Sequence, residues 1–299
     1  MSCKVLTIVG PTASGKSDLA VKLAEKFNGE IINGDSIQVY KGLDIGSAKI
    51  SEEEMHGIPH HLLSVREIEE GYSVKDFQDE ARKLISDITE RGKLPIVCGG
   101  TGLYIKALLY DYSFVKENNS KEEYEDEDTA SLYQKLQELD PVSAEKIHPN
   151  NRKRVVRALQ LAETGTTKSE QESAQNHEPV YDAFICGLTM DRNVLKERID
   201  LRVDKMFSNG LIEEVTDLNS KYDWSLQALQ GIGYKEFKDY FNGTKSLEEV
   251  KTDIKTHTRQ FAKRQYTWWN HQLPVRWYDV MKEGTDQQII EDVSEWLAE

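Results

Sequence analysis

The segment between residues 10 and 17 carries the clearest chemical signal in the sequence. It reads GPTASGKS and matches the pattern G-x-x-x-x-G-K-S, in which glycines let backbone N–H groups wrap an oligophosphate at the start of a helix. Lys16 would supply a cation to that phosphate, and the Ser17 hydroxyl could hold Mg²⁺. We therefore expect the whole loop to bind a phosphate group, through Gly10, Pro11, Thr12, Ala13, Ser14, Gly15, Lys16 and Ser17. The pattern leaves open whether the ligand is a nucleoside triphosphate.

Two further turns could place reactive groups beside this loop. Asp35 lies in an Asn-Gly-Asp-Ser turn after one strand-like run, and Thr101 lies in a Gly-Gly-Thr-Gly turn after the next. Proteins with parallel α/β sheets place reactive groups at the carboxyl ends of their strands, so we predict that both residues lie near the phosphate loop. A triphosphatase or switch would also need a strand ending in a metal-holding Asp and a base-reading N-K-x-D. Neither pattern is clear here, which disfavours those classes.

Basic residues are concentrated in two segments of an otherwise acidic chain. The 38 Lys and Arg against 52 Asp and Glu give a net charge of −14, which argues against loose, charge-driven binding of nucleic acid. One basic segment contains Arg152, Lys153, Arg154 and Arg157, and the other repeats a cation every fourth residue at Lys251, Lys255, Arg259 and Lys263, followed by Arg264 and two tryptophans. No acidic stripe accompanies the second segment on its own helix, which favours a binding surface over a solvated helix face. Both segments could supply cations to a nucleic-acid backbone.

Further motifs behind the phosphate loop resemble those of the tRNA dimethylallyltransferases, also called tRNA isopentenyltransferases. They are DSIQVY (35–40), DIGSAK (44–49), PHHL (59–62), GGTGLY (99–104), HPNN (148–151) with Arg154 and RAL (157–159), RIDLRVDKM (198–206), GIGYKE (231–236) and RQFAKRQ (259–265) with a Trp pair (268–269). The resemblance covers nearly the whole chain and is to the bacterial type. The acidic run 117–128 departs from the family pattern and is predicted to be a solvated loop.

The resemblance implies a specific reaction. The phosphate loop would bind the pyrophosphate group of dimethylallyl diphosphate with Mg²⁺, and the five-carbon unit would pass to the exocyclic amine of the adenosine just 3′ of the tRNA anticodon. Asp35 would orient this weakly nucleophilic amine and accept its proton. Lys16 and Arg202 would stabilise the leaving pyrophosphate, and Thr101 would approach the reacting centre.

The resemblance also implies a tRNA anticodon stem-loop as partner. Its target base must leave the stack to reach such a pocket, so base flipping is implied. The residues expected to contact tRNA are Asp35, Ser36, Ile37, Gln38, Thr101, Lys153, Arg154, Arg157, Gly233, Tyr234, Lys235, Lys263 and Arg264.

Three other functions stay open. An adenylate isopentenyltransferase would keep the fold but modify a free nucleotide, without needing the basic segments. A P-loop small-molecule kinase would share the phosphate loop and turn over ATP. A nucleotide-gated RNA-binding module is disfavoured because Asp35 and Thr101 bracket the loop as catalytic groups would.

The elements that must position these residues predict an α/β fold: a P-loop NTPase-like parallel sheet flanked by helices, with an all-helical insertion. Strand-like runs cover residues 5–9, 31–32, 94–98, 183–190 and 275–280. A crossover helix begins at Ser73 and ends at Gly92, and a capping box at Ser246 opens another helix. We predict the core in 1–111, 181–200 and 271–299, the helical insertion in 201–270 and an excursion in 112–180. The excursion is expected to be helical over 130–163, including a basic tRNA-facing helix, and loop-like over 164–178.

The remaining composition is that of a globular protein. The 299 residues have a mean hydropathy of −0.61 and contain no long apolar run or signal-peptide pattern, so we expect a cytoplasmic protein without membrane contact. The absence of a heptad seam predicts a monomer. Three widely spaced cysteines, Cys3, Cys98 and Cys186, suggest neither disulfides nor a metal site and are predicted to be buried thiols.

Overall fold

The computed structural model of the chain describes residues 3–114, 124, 126–175 and 178–299. Most of the acidic run 117–128 lies outside the described residues, and so the prediction of a solvated loop there stays a prediction. Within the described part, no helix combines the length and the apolar character needed to cross a bilayer.

A six-stranded parallel sheet forms the centre of the fold, with the strand order β3-β2-β4-β1-β5-β6. The strands are β1 (Lys4–Val9), β2 (Gly29–Asn33), β3 (His60–His61), β4 (Leu94–Cys98), β5 (Asp182–Thr189) and β6 (Arg276–Asp279). The five strands expected from apolar runs are confirmed, and so is the parallel α/β fold. The two-residue β3 was not predicted because it is too short to show a periodic pattern.

The register places the ends of three neighbouring strands level with one another. Cys98 at the end of β4 pairs with Ile8 of β1 on one side and with Asn33 of β2 on the other. Consequently the turns that follow these strands begin at the same edge of the sheet.

Twelve α-helices surround the sheet or lie in the excursion of the described chain. They are α1 (Lys16–Phe27), α2 (Val74–Glu90), α3 (Gly102–Leu109), α4 (Thr129–Leu139), α5 (Pro141–Lys146), α6 (Arg152–Glu163), α7 (Lys168–Ser173), α8 (Arg192–Ser208), α9 (Leu211–Lys221), α10 (Phe237–Phe241), α11 (Leu247–Gln272) and α12 (Thr285–Ala298), with a 3₁₀ turn at Gln227–Gln230. The predicted helix starts at Ser73 and Ser246 are confirmed, because each forms a complete capping box with the residue three positions later.

One prediction of secondary structure and one of burial are wrong. The stretch 164–178 is not only loop, since α7 begins there with a capping box between Thr167 and Glu170. Of the cysteines only Cys186 is fully buried. Cys3 precedes β1 and Cys98 ends β4 where the chain turns away from the sheet, so both are partly exposed.

The chain divides into two compact units. The sheet unit consists of Met1–Leu109 with Pro179–Glu299, and the helical unit is Tyr110–Glu178. The helical unit has its own apolar core, which includes Leu132, Leu136, Val155, Ala158 and Leu159 from α4 and α6. The helices between residues 201 and 270, expected as an insertion, belong to the sheet unit. There α8 and α11 share a small core in which Ile199 and Ala262 are buried.

Candidate active site at the carboxyl edge of the sheet

Three turns meet directly at the carboxyl edge of the sheet. The N–H of Gly34, after β2, donates to the carbonyl of Cys98 at 2.8 Å, and the N–H of Gly99, after β4, donates to the carbonyl of Ile8 at 3.2 Å. A Cβ atom on Gly99 would lie 2.3 Å from the carbonyl oxygen of Gly34, so any larger residue would separate the turns. The sequence therefore places the phosphate loop, the Asp35 turn and the Thr101 turn within contact of one another, as predicted.

The phosphate loop has the backbone conformation that its glycines permit. Gly10 and Gly15 have φ values of 141° and 90°, and Ala13 also lies in the left-handed region at 64°. The Lys16 ammonium donates to the carbonyl of Pro11 at 2.7 Å and therefore lies across the loop. Burial lowers the pKa of Lys16 to about 8, with Cys98 and Asp35 opposing the shift and Arg202 adding to it. A desolvated cation at a helix start is suited to an oligophosphate.

Asp35 uses one carboxylate oxygen to fix its own turn. Its Oδ1 accepts the N–H groups of Ile37 at 2.8 Å and Gln38 at 3.3 Å, while its own N–H donates to Asn33 Oδ1 at 3.2 Å. No described residue donates a hydrogen bond to Oδ2. The carboxylate is thus held in place with one oxygen available for a substrate.

Thr101 is tied to the same turn. Its Oγ1 accepts the N–H of Ser36 at 3.3 Å, and its own N–H donates to the carbonyl of Gly34 at 3.4 Å. Behind it, a Cβ on Gly102 would lie 2.3 Å from the ring of Trp268, so α11 packs closely against the start of α3. The hydroxyl of Thr101 and the carboxylate of Asp35 therefore belong to one hydrogen-bonded pair of turns.

Arg202 reaches the phosphate loop from α8. Its Nη1 donates to Thr12 Oγ1 at 3.0 Å, and its Nη2 donates to the carbonyl of Ser47 at 3.5 Å. Burial lowers the pKa of the guanidinium, and Asp35 opposes that shift. As expected from the sequence, Arg202 and Lys16 both lie at the loop.

Glu214 on α9 is a functional candidate that the sequence analysis missed. Its carboxylate accepts three successive backbone N–H groups, from Asp44 at 3.1 Å, Ile45 at 2.7 Å and Gly46 at 3.0 Å. The loop that it holds carries the Ser47 carbonyl, which accepts from Arg202 and from Gln38 Nε2 at 3.1 Å. The DIGSAK motif is visible in the sequence, but nothing in its spacing shows that a distant glutamate binds it.

Tyr234, which the sequence analysis expects to contact tRNA, is hydrogen-bonded to Glu214 and to the loop that Glu214 binds. Its side chain is fully buried; the hydroxyl donates to Glu214 at 2.8 Å and accepts the N–H of Ser47 at 3.1 Å. Gly233 is also buried, and a Cβ there would lie 2.6 Å from the carbonyl oxygen of Gly46. Both residues are thus buried against this loop, while Lys235 beside them is exposed. The predicted tRNA contacts of Gly233 and Tyr234 stay predictions.

Three cations of the basic stripe on α11 are paired with acids of α8. Lys251 and Lys255 lie 2.8 and 2.7 Å from Asp204, and Arg259 Nε donates to Asp200 at 2.9 Å. These ion pairs were not expected, because the sequence analysis considered only acids on the helix that carries the stripe and these acids come from a different helix. An analysis of α11 alone could not detect them.

Lys263 and Arg264 differ from the rest of the stripe. Both are exposed, and neither has an acidic partner among the described residues. They line an open groove of about 610 Å³ on α11, together with Gln260, Thr267, Trp268, His271 and Gln272. Cations beside an aromatic ring in an open groove suit a nucleic-acid backbone and its bases.

The basic helix α6 belongs to the helical unit. Lys153 and Arg154 are exposed there, and Arg157 is half-buried. Arg152 donates to the backbone carbonyl of Glu127 at 2.6 Å and also to that of Tyr124, so it holds the helical unit together.

The phosphate loop offers one oxygen ligand for a bound Mg²⁺, and no cluster of acidic side chains accompanies it among the described residues. Among the described residues, no three His, Cys, Asp or Glu side chains come together as a metal site. Mg²⁺ commonly keeps water and substrate phosphate as ligands and takes only one or two oxygens from the protein. The exposed hydroxyl of Ser17, at the start of α1, is an oxygen ligand of that kind.

Comparisons with known proteins show which family the chain belongs to. The model of the family described as IPP transferase matches residues 38–272. A tRNA dimethylallyltransferase of Anoxybacillus flavithermus is 50% identical over 97% of this chain and 94% of its own length. The crystal structure of a tRNA isopentenylpyrophosphate transferase from Staphylococcus epidermidis is 41% identical and covers 99% of both chains, with a TM-score of 0.73. The structure of a eukaryotic dimethylallyltransferase acting on tRNA is 33% identical and covers 99% of this chain and 80% of its own, with a TM-score of 0.85. With matches of this extent, the chain belongs to the IPP transferase family of tRNA-prenylating enzymes.

Proposed function

We propose that this protein transfers a dimethylallyl group from dimethylallyl diphosphate to the exocyclic N6 amine of the adenosine adjacent to the 3′ side of the tRNA anticodon, and releases pyrophosphate. The observation that carries the proposal is the meeting of a cationic phosphate loop with the Asp35 and Thr101 turns at one edge of the sheet. The family supports prenyl transfer to tRNA, and this geometry supports the roles of the individual residues.

The phosphate side of the site would bind the donor. The Lys16 ammonium and the Arg202 guanidinium contact Pro11 and Thr12 of the loop. Together with backbone N–H groups of the loop, they would bind the diphosphate. As the bond between the allylic carbon and the diphosphate oxygen breaks, negative charge grows on the pyrophosphate, and fixed cations in a partly buried site stabilise that charge. Ser17 would hold Mg²⁺, whose charge would further stabilise the leaving group.

The other side of the site would bind the acceptor. An aromatic amine is a weak nucleophile, so a carboxylate within hydrogen-bond reach increases its reactivity. As the new bond forms between N6 and the allylic carbon, Asp35 Oδ2 would accept one amine proton. The Thr101 hydroxyl would hold the acceptor close to Asp35, because both turns are hydrogen-bonded to each other.

Exposed surfaces of both units would bind the RNA. Extrusion of the target adenosine from the anticodon loop would bring N6 to Asp35. Ser36, Ile37 and Gln38 would contact the extruded base, and Lys235, Lys263 and Arg264 would bind phosphates in the anticodon loop. The helical unit would add Lys153, Arg154 and Arg157. We further propose that the protein acts as a monomer in the cytoplasm.

Transfer of isotope label decides between the possible acceptors. Dimethylallyl diphosphate labelled in the allylic group is supplied with unmodified tRNA and an excess of free AMP, and ATP hydrolysis is followed in parallel. The proposal predicts label on tRNA and none on AMP. Label on AMP would favour an adenylate isopentenyltransferase, and ATP turnover without label transfer would favour a kinase.

A further inference from the structure

Gln265, in the middle of α11, connects the two sides of the site with one side chain. It is only 5% exposed. Its Oε1 accepts the backbone N–H of Thr12 at 2.9 Å, and its Nε2 donates to the carbonyl of Gly100 at 3.0 Å. A primary amide can accept at one end and donate at the other, so both of its polar atoms are satisfied.

Both partners of Gln265 lie in the proposed machinery. Thr12 belongs to the phosphate loop, and its hydroxyl is also bound by Arg202. Gly100 directly precedes Thr101, and a Cβ on Gly100 would lie 2.3 Å from Nε2 of Gln265. The close approach of the glutamine therefore explains why glycine stands at position 100.

We propose that Gln265 is a positioning residue that fixes the separation between the donor and acceptor sides of the site. The inference rests on the proposed function, since it assigns the phosphate loop to the diphosphate and the Thr101 turn to the amine. Prenyl transfer requires the allylic carbon and the amine to approach to roughly 3–3.5 Å, and a misplacement of about 1 Å can reduce the rate about 100-fold. Gln265 touches neither substrate and acts through Thr12 and Gly100.

The location of Gln265 also connects this spacing to the RNA-facing surface. Lys263 and Arg264 are its immediate neighbours on α11 and point outwards, whereas the amide of Gln265 is buried. The helix proposed to bind the anticodon loop thus also carries Gln265, which connects the donor and acceptor sides of the site.

Two variants separate positioning from packing. Gln265→Met has a similar length and makes neither hydrogen bond. Gln265→Glu keeps an acceptor for the Thr12 N–H but removes the amide donor to the Gly100 carbonyl. For both variants we expect the single-turnover rate at saturating substrates to fall roughly 10–100-fold. For Gln265→Met, the Kd for dimethylallyl diphosphate should change less than about threefold, because Lys16 and Arg202 remain in place. For Gln265→Glu, the Kd should rise as well, because the new carboxylate lies beside the phosphate loop and repels the diphosphate.

The matched control is Gln288→Met with Gln288→Glu, the same changes at an exposed position of α12 that does not line the groove on α11. These should leave both the rate and the Kd unchanged. All rates are measured at least 15 °C below each variant's Tm, so that a loss of stability alone would not lower them. Wild-type rates for both Gln265 variants, or a loss of rate in Gln265→Met matched by an equal loss of diphosphate affinity, would overturn the positioning role. Failure of the wild-type protein to transfer label would instead overturn the proposed function, and the inference with it.

Discussion

The Asp35 carboxylate combines a structural contact within its own turn with a proposed role in the reaction. Its Oδ1 accepts two backbone N–H groups, which fixes the direction of the side chain, and its Oδ2 remains available to a substrate. The sequence predicted Asp35 because of its place after a strand. It could not predict that its two oxygens have different partners, since that depends on the conformation of the turn.

Asp35→Asn separates these two tasks. The amide oxygen can still accept from Ile37 and Gln38, but the variant has no basic oxygen for the amine proton. We expect kcat for tRNA prenylation to fall about 10²–10⁴-fold, with little change in the Kd for dimethylallyl diphosphate. Steady-state kinetics and direct binding measure the two quantities. Asp217→Asn, an exposed residue on α9, should behave as wild type; a kcat loss below about threefold in Asp35→Asn would exclude Asp35 as the base.

At the scale of elements, α11 joins a structural half and a proposed RNA-binding half. Lys251, Lys255 and Arg259 neutralise acids of α8, whereas Lys263 and Arg264 are left to the groove. The spacing of cations along one face was readable from the sequence. The division of these cations into a group paired with acids of α8 and a group that lines the groove could not be read from the sequence, because it depends on the packing of α8 against α11.

This division predicts different salt dependences of tRNA binding. Removing one cation that binds a phosphate of a single-stranded loop should reduce the slope of log K against log salt by about 0.7. The double variant Lys263→Ala with Arg264→Ala should therefore bind tRNA more weakly, with a slope reduced by about 1.4. Binding is measured by filter retention or fluorescence anisotropy over a range of salt. The double variant Lys251→Ala with Lys255→Ala is the control, and an equal slope change in both would refute the distinction.

A buried ion cluster joins β2 to its neighbouring elements at Glu30. The carboxylate is almost fully buried and accepts from Arg91 at 2.8 Å, Lys93 at 2.8 Å and His61 at 2.7 Å. Arg91 is the main reason that the pKa of Glu30 lies well below its usual range, and burial opposes this effect.

Glu30 should accordingly stabilise the fold in a pH-dependent way. A depressed carboxyl pKa contributes stability that is complete above the unfolded-state value of about 4.3 and is lost as the pH falls through the folded-state value. At pH 7, Glu30→Gln should lower the free energy of unfolding by about 2–3 kcal/mol, and the difference from wild type should shrink between pH 5 and pH 3. Urea unfolding at a series of pH values measures the free energy of unfolding of both proteins. The exposed Glu25→Gln serves as control, and a difference independent of pH would contradict the role of the charge.

At the scale of the whole molecule, the order of α and β patterns predicted the parallel sheet and five of its six strands, and the resemblance of the motifs predicted the family. The strands and helix starts could be predicted because buried strands and capping boxes are visible in a few consecutive residues. The sequence could not predict three other features: the hydrogen bonds of Gln265, the binding of the 44–46 loop by Glu214 and the burial of Tyr234. Each depends on contacts between residues far apart in the chain. The overall negative charge is compatible with RNA binding because exposed cations occur in local groups, such as Lys153 and Arg154 on α6 and Lys263 and Arg264 on α11.

The most direct test of the account uses two synthetic anticodon stem-loops that differ in one atom group. One carries adenosine at the position 3′ of the anticodon, and the other carries purine riboside, which lacks the exocyclic amine. With labelled dimethylallyl diphosphate, the account predicts one dimethylallyl group at N6 in the first stem-loop and no product with the second, as read by mass spectrometry of the nucleosides. Prenylation of the second stem-loop, or of any other nucleotide in the first, would contradict it.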